Sequence, residues 1–371
     1  MSARPKQQGP LHRLCHEGLL DSRCVDQLGA EVGVNIYETH DSFEQACAIT
    51  AWQQLYDQLS PGDFSGQLRE LWLDQLQCFE EYTNRALRQS CIVWPGAYWF
   101  GVPIPNQPNA ACEGSHLEDN LIAISRGGAE FELTTPDDFH IMGLVIPHDE
   151  LTAYANTTLD GGLPETLGCE SRLQVDPLRK QRFIRHQRTL LNEAERCKLG
   201  PADVTAYRFM RHELQDSLID MLTSATPAPR PQRSRHQHWR VVRQARDFAM
   251  GHPDEPLGVA DLCQYLGVSR RTLQNIFQNT LGICPLTYLK SLRLNAVRRE
   301  LLSPESRYHA IQDAASAWGF WHMSQFAVDY GKLFGEKPSA TLLRRSGLSA
   351  THPRVVTRRS TDMACNAMPS C

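Results

Sequence analysis

A short segment in the last third of the sequence carries side chains suited to reading DNA. Its polar positions recur at helical spacing and comprise Arg270, Arg271, Gln274, Asn275 and Gln278. Guanidinium and amide groups can pair with the edges of bases in the major groove. Leu273, Ile276 and Phe277 fall on the opposite face. The spacing therefore predicts a helix that buries one face and offers the other to base pairs.

A second segment, about fifty residues later, also has an apolar face and an opposite face predicted to meet DNA, but its side chains are less polar. Phe326, Tyr330 and Phe334 form its apolar stripe. The positions predicted to face DNA are His322, Ser324, Gln325, Ala327 and Val328. Small apolar groups at such positions can contact thymine methyl groups.

Each segment follows a shorter predicted helix. Val259–Leu266 ends at Gly267, and Ser269 is a suitable N-cap for the helix that follows. Ile311–Ala317 precedes the second segment, and a longer helix over Leu286–Leu302 joins the two units. A short helix, a turn and a capped helix form a helix-turn-helix unit, so two units are predicted, with recognition helices about 34 Å apart.

The charge distribution agrees with a nucleic-acid partner. The formal net charge is −4, but arginine is concentrated in the C-terminal part. We expect a local basic surface to bind phosphates despite the negative total. The arginines considered for it are Arg240, Arg243, Arg246, Arg270, Arg271, Arg293, Arg298, Arg299, Arg344 and Arg345.

Composition also indicates the domain boundaries. Residues 223–238 contain three prolines and no apolar periodicity, as expected of a linker. The prediction is a sensor domain over 1–222, a DNA-binding domain over 239–346 and a disordered tail over 347–371. The sequence shows no signal peptide and no apolar run long enough to cross a bilayer, so we expect a cytoplasmic protein without a membrane partner.

The C-terminal runs resemble a known family. LGVSRRTLQNIFQNTLGICPLTYLKSLRLNAVRREL (266–301) and GFWHMSQFAVDYGKLFGEKPS (319–339) are similar to the double helix-turn-helix domain of AraC/XylS-type regulators. The resemblance implies promoter DNA and RNA polymerase as partners, and leaves a homodimer open. It also implies base contacts from seven positions: Arg271, Gln274 and Asn275 in the first unit, and Ser324, Gln325, Ala327 and Val328 in the second. Val328 departs from the family pattern, in which a long polar or basic residue is frequent.

The fold expected for the whole chain is an α+β sensor domain with a β-sandwich or cupin-like core, followed by an all-α DNA-binding domain. Strands are predicted within 94–105 and 129–147, where Phe131 and Leu133 alternate with Glu130 and Glu132 as in a half-buried strand. Helical spacing is found over 43–59 and 178–222.

A narrower likeness concerns the effector. Five segments resemble regulators of ethanolamine-utilisation operons, and the resemblance runs over most of residues 35–345. The segments are 49–68, 79–95, 131–138, SRRTLQNIF (269–277) and WGFWHMSQFAVDY (318–330). That likeness implies an activator that responds to ethanolamine and adenosylcobalamin. A regulator of another small-molecule catabolic operon is the alternative.

The candidate effector site is aromatic. Its predicted lining residues are Trp94, Tyr98, Trp99, Phe100, Asp138 and His140. Asp138-x-His140-x-x-Gly143 matches a short motif in which a histidine binds cobalamin. Aromatic residues in strands are more often core, and a motif this short needs its structural context.

The sequence gives less support to an enzymatic function than to a DNA-binding one. The sequence contains no Gly-x-Ser-x-Gly elbow, phosphate-binding glycine loop or His-Glu-x-x-His pair, so no catalytic residue, metal or catalytic cofactor is predicted. Its twelve cysteines include no Cys-x-x-Cys pair. A distant alternative is an Ada-like DNA repair methyltransferase, which would need an activated cysteine such as Cys91 or Cys112.

Overall fold

The computed structural model describes residues 32–159, 162, 167, 170–200, 202–229 and 233–345. Within them, an α+β part precedes residue 230 and an all-helical part follows it. The tail predicted over 347–371 lies outside the described residues.

The α+β part is built on two sheets and four described helices. The strands are β1 (Gly33–Thr39), β2 (Gln53–Gln58), β3 (Gly66–Leu73), β4 (Leu76–Thr83), β5 (Leu87–Ile92), β6 (Ala97–Pro103), β7 (Ala111–Cys112), β8 (Ser115–His116), β9 (Leu121–Arg126), β10 (Glu130–Thr135), β11 (Phe139–Pro147), β12 (Arg172–Gln174) and β13 (Thr226–Pro227). The helices are α1 (Ser42–Ala48), α2 (His148–Thr158), α3 (Pro177–Cys197) and α4 (Val204–Leu222). The larger sheet has the order β1-β3-β4-β11-β6-β9-β12-β13, and the smaller has the order β2-β5-β10-β7-β8. All described pairings are antiparallel.

The larger sheet is buried on both faces. In its central strand β11, Leu144 faces a core shared with α2, α3 and α4, whereas Ile141 and Val145 face the smaller sheet. Successive strand residues point to opposite faces, so burial on both sides requires the continuous apolar sequence of β11. The result is three layers: helices, an eight-stranded sheet and a five-stranded sheet.

The helix predicted over 43–59 is only partly present. The chain is helical in α1 and then turns at Ala51, whose φ of 64° is left-handed, before entering β2. Every β2 residue after Gln53 is buried. Because both faces of this strand are covered, its side chains lack the polar alternation that would have distinguished it from a helix.

Glu81 of β4 is a carboxyl group buried between the sheets. Its Oε1 accepts hydrogen bonds from Gln45 Nε2 at 2.9 Å and Tyr56 Oη at 3.1 Å. Burial raises the pKa of Glu81 to about 7, although these two hydrogen bonds lower it. The folded protein therefore holds this proton at pH values where the unfolded chain, with a pKa near 4.5, has lost it.

Glu81→Gln is expected to remove one source of pH-dependent stability. The raised folded pKa stabilises the native protein below the unfolded pKa, and this contribution is lost as the pH rises through about 7. Relative to the variant, the native protein should lose up to about 3 kcal/mol between about pH 5 and pH 8. Urea unfolding of both proteins at the two pH values measures the difference. If the difference in unfolding free energy between the two proteins were the same at both pH values, Glu81 would be ionised in the folded state.

The helical part contains two small cores joined by one long helix. Its elements are α5 (Arg233–Gly251), α6 (Val259–Leu266), α7 (Arg270–Leu281), α8 (Pro285–Leu302), α9 (Ile311–Ala317), α10 (Met323–Phe334) and α11 (Pro338–Arg345). In α8, Tyr288 and Leu292 pack with α5, α6 and α7. Val297 and Leu301, later in the same helix, pack with α9 and α10. The helix therefore sets the separation of the two helix pairs.

The predicted linker is more structured than its composition indicated. Thr226 and Pro227 pair with β12 of the larger sheet, and residues 233–238 belong to α5. Most of this first part of α5 is exposed, so its polar composition resembles that of a solvated linker. The apolar face begins at Trp239, whose ring lies against Gly114 of the α+β part.

Charged side chains cross the interface between the two parts. Glu132 of β10 contacts Arg88 of β5 at 2.8 Å and also pairs with Arg246 of α5. Arg88 contacts Asp57, which in turn accepts from Arg299 of α8 at 2.7 Å. The predicted strand is present as β10 and Glu130 is exposed, but the expected exposure of Glu132 is wrong. Arg246 of α5 covers this side chain, and Glu132 is 6% exposed.

A second group of ion pairs is centred on Arg298, which precedes Arg299 in α8. Arg298 Nε donates to Asp41 Oδ2 at 2.6 Å, and Arg298 also pairs with Glu336 at 2.7 Å. Arg344 of α11 contacts the same Asp41 oxygen at 3.3 Å. Because Asp41 also caps α1 by accepting from Phe43 N, this interface connects the first helix of the α+β part to the last described helix.

Candidate nucleic-acid interface

The first helix pair, α6 and α7, is joined by a tight turn. Gly267 ends α6 with a φ of 65°, a conformation in which a side chain would be strained. Ser269 Oγ accepts from Thr272 N at 3.1 Å and so caps α7. Leu273 and Phe277 are fully buried in the core beneath the pair. The predicted turn, cap and buried face are all present in the structure.

The opposite face of α7 points to solvent. Its predicted DNA-facing residues are all exposed: Arg270, Arg271, Gln274, Asn275 and Gln278. Gln278 donates to Gly282 O at 3.3 Å near the end of the helix. Within the described part of the chain, the side chains of Arg271, Gln274 and Asn275 make no hydrogen bond or ion pair. Their donors and acceptors are therefore available to an external partner.

The second helix pair, α9 and α10, has the same arrangement with less polar chemistry. Phe326, Tyr330, Leu333 and Phe334 are buried. The predicted contact positions are all exposed: His322, Ser324, Gln325, Ala327 and Val328. The side chain of Val328 is 64% exposed, and that of Trp321 in the preceding turn is 60% exposed. Trp321 is not among the positions predicted from the sequence to face DNA.

The arginines predicted to form a phosphate-binding surface divide into two groups. Arg246 and Arg298 are buried in interdomain ion pairs, and Arg299 and Arg344 also pair with carboxylates of the α+β part. Arg293 donates to the carbonyl groups of Ala249, His252 and Glu255 at the end of α5. Arg345 donates to Tyr308 O at 2.8 Å, and the exposed Arg243 lies 3.6 Å from Glu113. Arg240, Arg270 and Arg271 remain exposed. The basic surface is therefore smaller than the arginine count suggested.

Comparison with known proteins agrees with this geometry. A family model described as "Helix-turn-helix domain" matches residues 262–344, which include both helix pairs. Residues of this chain are 39% identical over 102 positions to the probable thc operon regulatory protein of Rhodococcus erythropolis, covering 28% of this chain and 31% of the relative. They are 27% identical over 163 positions to the XylDLEGF operon transcriptional activator 1 of Pseudomonas putida, covering 44% and 47%.

A solved structure described as a probable AraC family transcriptional regulator from Rhodopseudomonas palustris is 31% identical. The match covers 29% of this chain and 97% of that chain, with a TM-score of 0.27. Residues 262–344 therefore form a helix-turn-helix domain. This chain spans less than half the length of the two curated relatives described above.

The predicted effector residues are not brought together. Successive residues of β6 point to opposite faces, so Trp99 lies between the sheets, stacked on Phe131 at 4.6 Å. Tyr98 and Phe100 lie in the core beneath the helices. Trp94 packs against Trp72 at 5.4 Å. These aromatic residues are core residues on two faces of one sheet and cannot line a single pocket.

Asp138 and His140 both contact Tyr82. Asp138 Oδ1 accepts from Tyr82 Oη at 2.9 Å, and the rings of Tyr82 and His140 have centroids 4.5 Å apart. The backbone of His140 is bonded to Gln107. Burial lowers the pKa of His140, favouring the neutral ring. Gly143 is required because a Cβ there would meet the ring of Phe79 at 2.0 Å. Packing thus explains the glycine of the short motif, and a cobalamin contact stays a prediction.

The two cysteines considered for an Ada-like enzyme lie in the interior of the α+β part. Cys91 and Cys112 are each 1% exposed. Burial raises the pKa of both thiols, whereas a nucleophilic cysteine needs a lowered pKa and access to its substrate. Neither residue has the environment of a methyl acceptor.

No helix in the described ranges is long and apolar enough to span a bilayer.

Proposed function

We propose that this protein is a sequence-specific DNA-binding transcription regulator. The observation that carries the proposal is the exposed face of α7, whose Arg271, Gln274 and Asn275 side chains have no partner within the described residues while the opposite face is buried. The names of the two curated relatives, an operon regulatory protein and an operon transcriptional activator, support the same role.

In this proposal, α7 and α10 enter successive major grooves. The helix α8 holds the two units apart, and the exposed arginines of the domain contact phosphates. The polar face of α7 supplies most of the hydrogen bonding to bases. Ala327 and Val328 of α10 supply apolar contacts to thymine methyl groups. Promoter DNA, RNA polymerase and a second copy of the chain are the proposed partners.

Substitution of the α7 face tests this model. Arg271→Ala or Gln274→Ala should cost about 1–3 kcal/mol of binding at the affected base pair, because each removes a base contact without disturbing a buried group. Binding sites would first be selected from a randomised DNA library, and affinities for single-base variants would then be measured. Arg240→Ala is the matched control, since it lies on α5 and should not change base preference. An unchanged base preference in both α7 variants would refute the assignment.

The effector is the finer part of the proposal. Ethanolamine together with adenosylcobalamin is supported by sequence resemblance alone, because the predicted lining residues lie in separate places. An alternative is a regulator of another catabolic operon, which the names of the relatives favour. Melting temperatures of the full chain with ethanolamine and adenosylcobalamin, alone and together, test the first candidate, since a ligand that binds the native state raises the melting temperature. No increase at saturating concentrations would exclude it.

A further inference from the structure

A cavity of about 470 Å³ lies between the α+β part and the helical, C-terminal part. Its volume falls within the range of about 300–1000 Å³ that is typical of small-molecule sites. Leu55, Asp57 and Arg88 form the wall contributed by β2 and β5. Across from them lie Met250 of α5 and residues of α8. None of the aromatic residues predicted for effector binding lines this space, which we call the interdomain cavity.

The lining combines an apolar surface with buried charge. Leu55, Leu292 and Ala296 are each at most 5% exposed and present hydrocarbon to the space. Trp318, which follows α9, contributes an aromatic wall. A ligand that fills the interdomain cavity must therefore have an apolar body. It would touch α8 and the turn that precedes the second recognition helix.

Two arginines that line the cavity have hydrogen-bond donors with no acceptor among the described residues. Arg88 uses its two Nη atoms for Asp57 and Glu132, while its Nε has no partner in the described part of the protein. Arg299 uses Nη1 for Asp57 Oδ1 and Tyr56 O. No described residue accepts from its Nε or Nη2.

The carboxylate that these two arginines share, Asp57, has both oxygen atoms occupied. It receives Arg88 on Oδ2 and Arg299 on Oδ1. A ligand amine would leave the remaining nitrogen atoms of Arg88 and Arg299 without an acceptor, whereas a carboxylate supplies two acceptor oxygens in the planar arrangement that guanidinium groups match.

We infer that the interdomain cavity binds a small monocarboxylate with an apolar body, held by Arg88 and Arg299. Its carboxylate accepts from the spare nitrogen atoms of the two arginines, and its apolar part lies along Leu55, Leu292 and Ala296. Because the walls come from both domains, binding stabilises this arrangement of the domains relative to others. The ligand thereby controls the position of α8, and this regulatory role rests on the proposed function.

The test uses the full chain with octanoate and phenylacetate as probes, and with octanamide, phenylacetamide and octylamine as controls. Isothermal titration calorimetry should show one molecule of acid bound per chain, with the amides and the amine about tenfold weaker or worse, because they lack the charge-assisted hydrogen bonds. The melting temperature should rise with the acids alone. Equal binding of acids and amides, or no binding of either acid, would overturn the inference.

Variants locate the site. Arg299→Gln and Ala296→Leu should each weaken acid binding about tenfold or more, the first by removing donors and the second by filling the cavity. Ala296→Leu leaves every interdomain ion pair in place, so the test stands even if Arg299→Gln fails to fold. Arg208→Gln, on the exposed side of α4, is the matched control and should leave binding unchanged. Acid binding that survives Ala296→Leu would exclude this cavity.

DNA binding measured on the same samples separates this inference from the proposed function. Intact sequence-specific DNA binding without acid binding overturns the cavity assignment and leaves the regulator proposal standing. Acid binding without sequence-specific DNA binding retains the site and overturns its regulatory role.

Discussion

Glu132→Ala is expected to destabilise the protein by about 3–5 kcal/mol, because it leaves two buried guanidinium groups without their shared carboxylate. Arg88 and Arg246 are 2% and 3% exposed, so water cannot replace the lost partner. Urea unfolding of the full chain at neutral pH measures the loss. Burial alone raises the pKa of Glu132. The positive charges of Arg246 and Arg88 lower this pKa by more than burial raises it, so the pKa of Glu132 lies below its usual value. The stabilisation is therefore present above the unfolded pKa and is lost as the pH falls.

Two controls separate the buried ion pairs from general effects of removing a carboxylate. Glu118→Ala, at an exposed position, should change stability by no more than about 0.5 kcal/mol. Replacing Glu132, Arg88 and Arg246 together with apolar residues of similar volume should recover most of the stability, since no buried charge is then unpaired. If Glu132→Ala behaved like Glu118→Ala, the interface carboxylate would be hydrated and the description of a buried interdomain contact would be wrong.

Phe277→Ala should destabilise the first helix pair by about 3–5 kcal/mol and abolish DNA binding at physiological temperature. Phe277 is fully buried and meets the ring of Tyr288 edge-on, with centroids 5.7 Å apart. Its removal leaves a cavity between α7 and α8 that the surrounding helices can only partly fill. Thermal unfolding followed by circular dichroism measures the stability, and fluorescence anisotropy with the selected DNA site measures binding.

Gln274→Ala is the matched variant on the opposite face of the same helix. Because Gln274 is exposed and unpaired within the described residues, its loss should change stability by about 0.5 kcal/mol or less while reducing base preference. A stability loss comparable to that of Phe277→Ala would mean that Gln274 packs against the protein, and the division of α7 into a buried and a DNA-facing side would fail.

The interdomain surface shows where reasoning from sequence was incomplete. Arg298 and Arg299 were assigned to a phosphate-binding surface because they are basic and lie in the C-terminal part. In the structure they contact Asp41 and Asp57, more than 240 residues earlier in the chain. A helix sequence specifies which residues share a face, but not what another domain places against that face. The burial of Glu132 on β10 could not be predicted for the same reason, because the helix that covers it is distant in the sequence.

Local sequence determined the helix pairs of the helix-turn-helix domain: Gly267 and Ser269 set the turn and the cap of the first pair, and apolar spacing of three and four residues set the buried faces. These features depend on contacts within a few turns of chain, so they can be read without the fold. Tertiary structure alone decided that Trp99 and Phe100 face different cores, that Glu132 is buried, and that Arg88 and Arg299 meet at one cavity. Strand order and domain packing bring such residues together from distant parts of the chain. A local sequence pattern cannot specify which of these distant residues will be in contact.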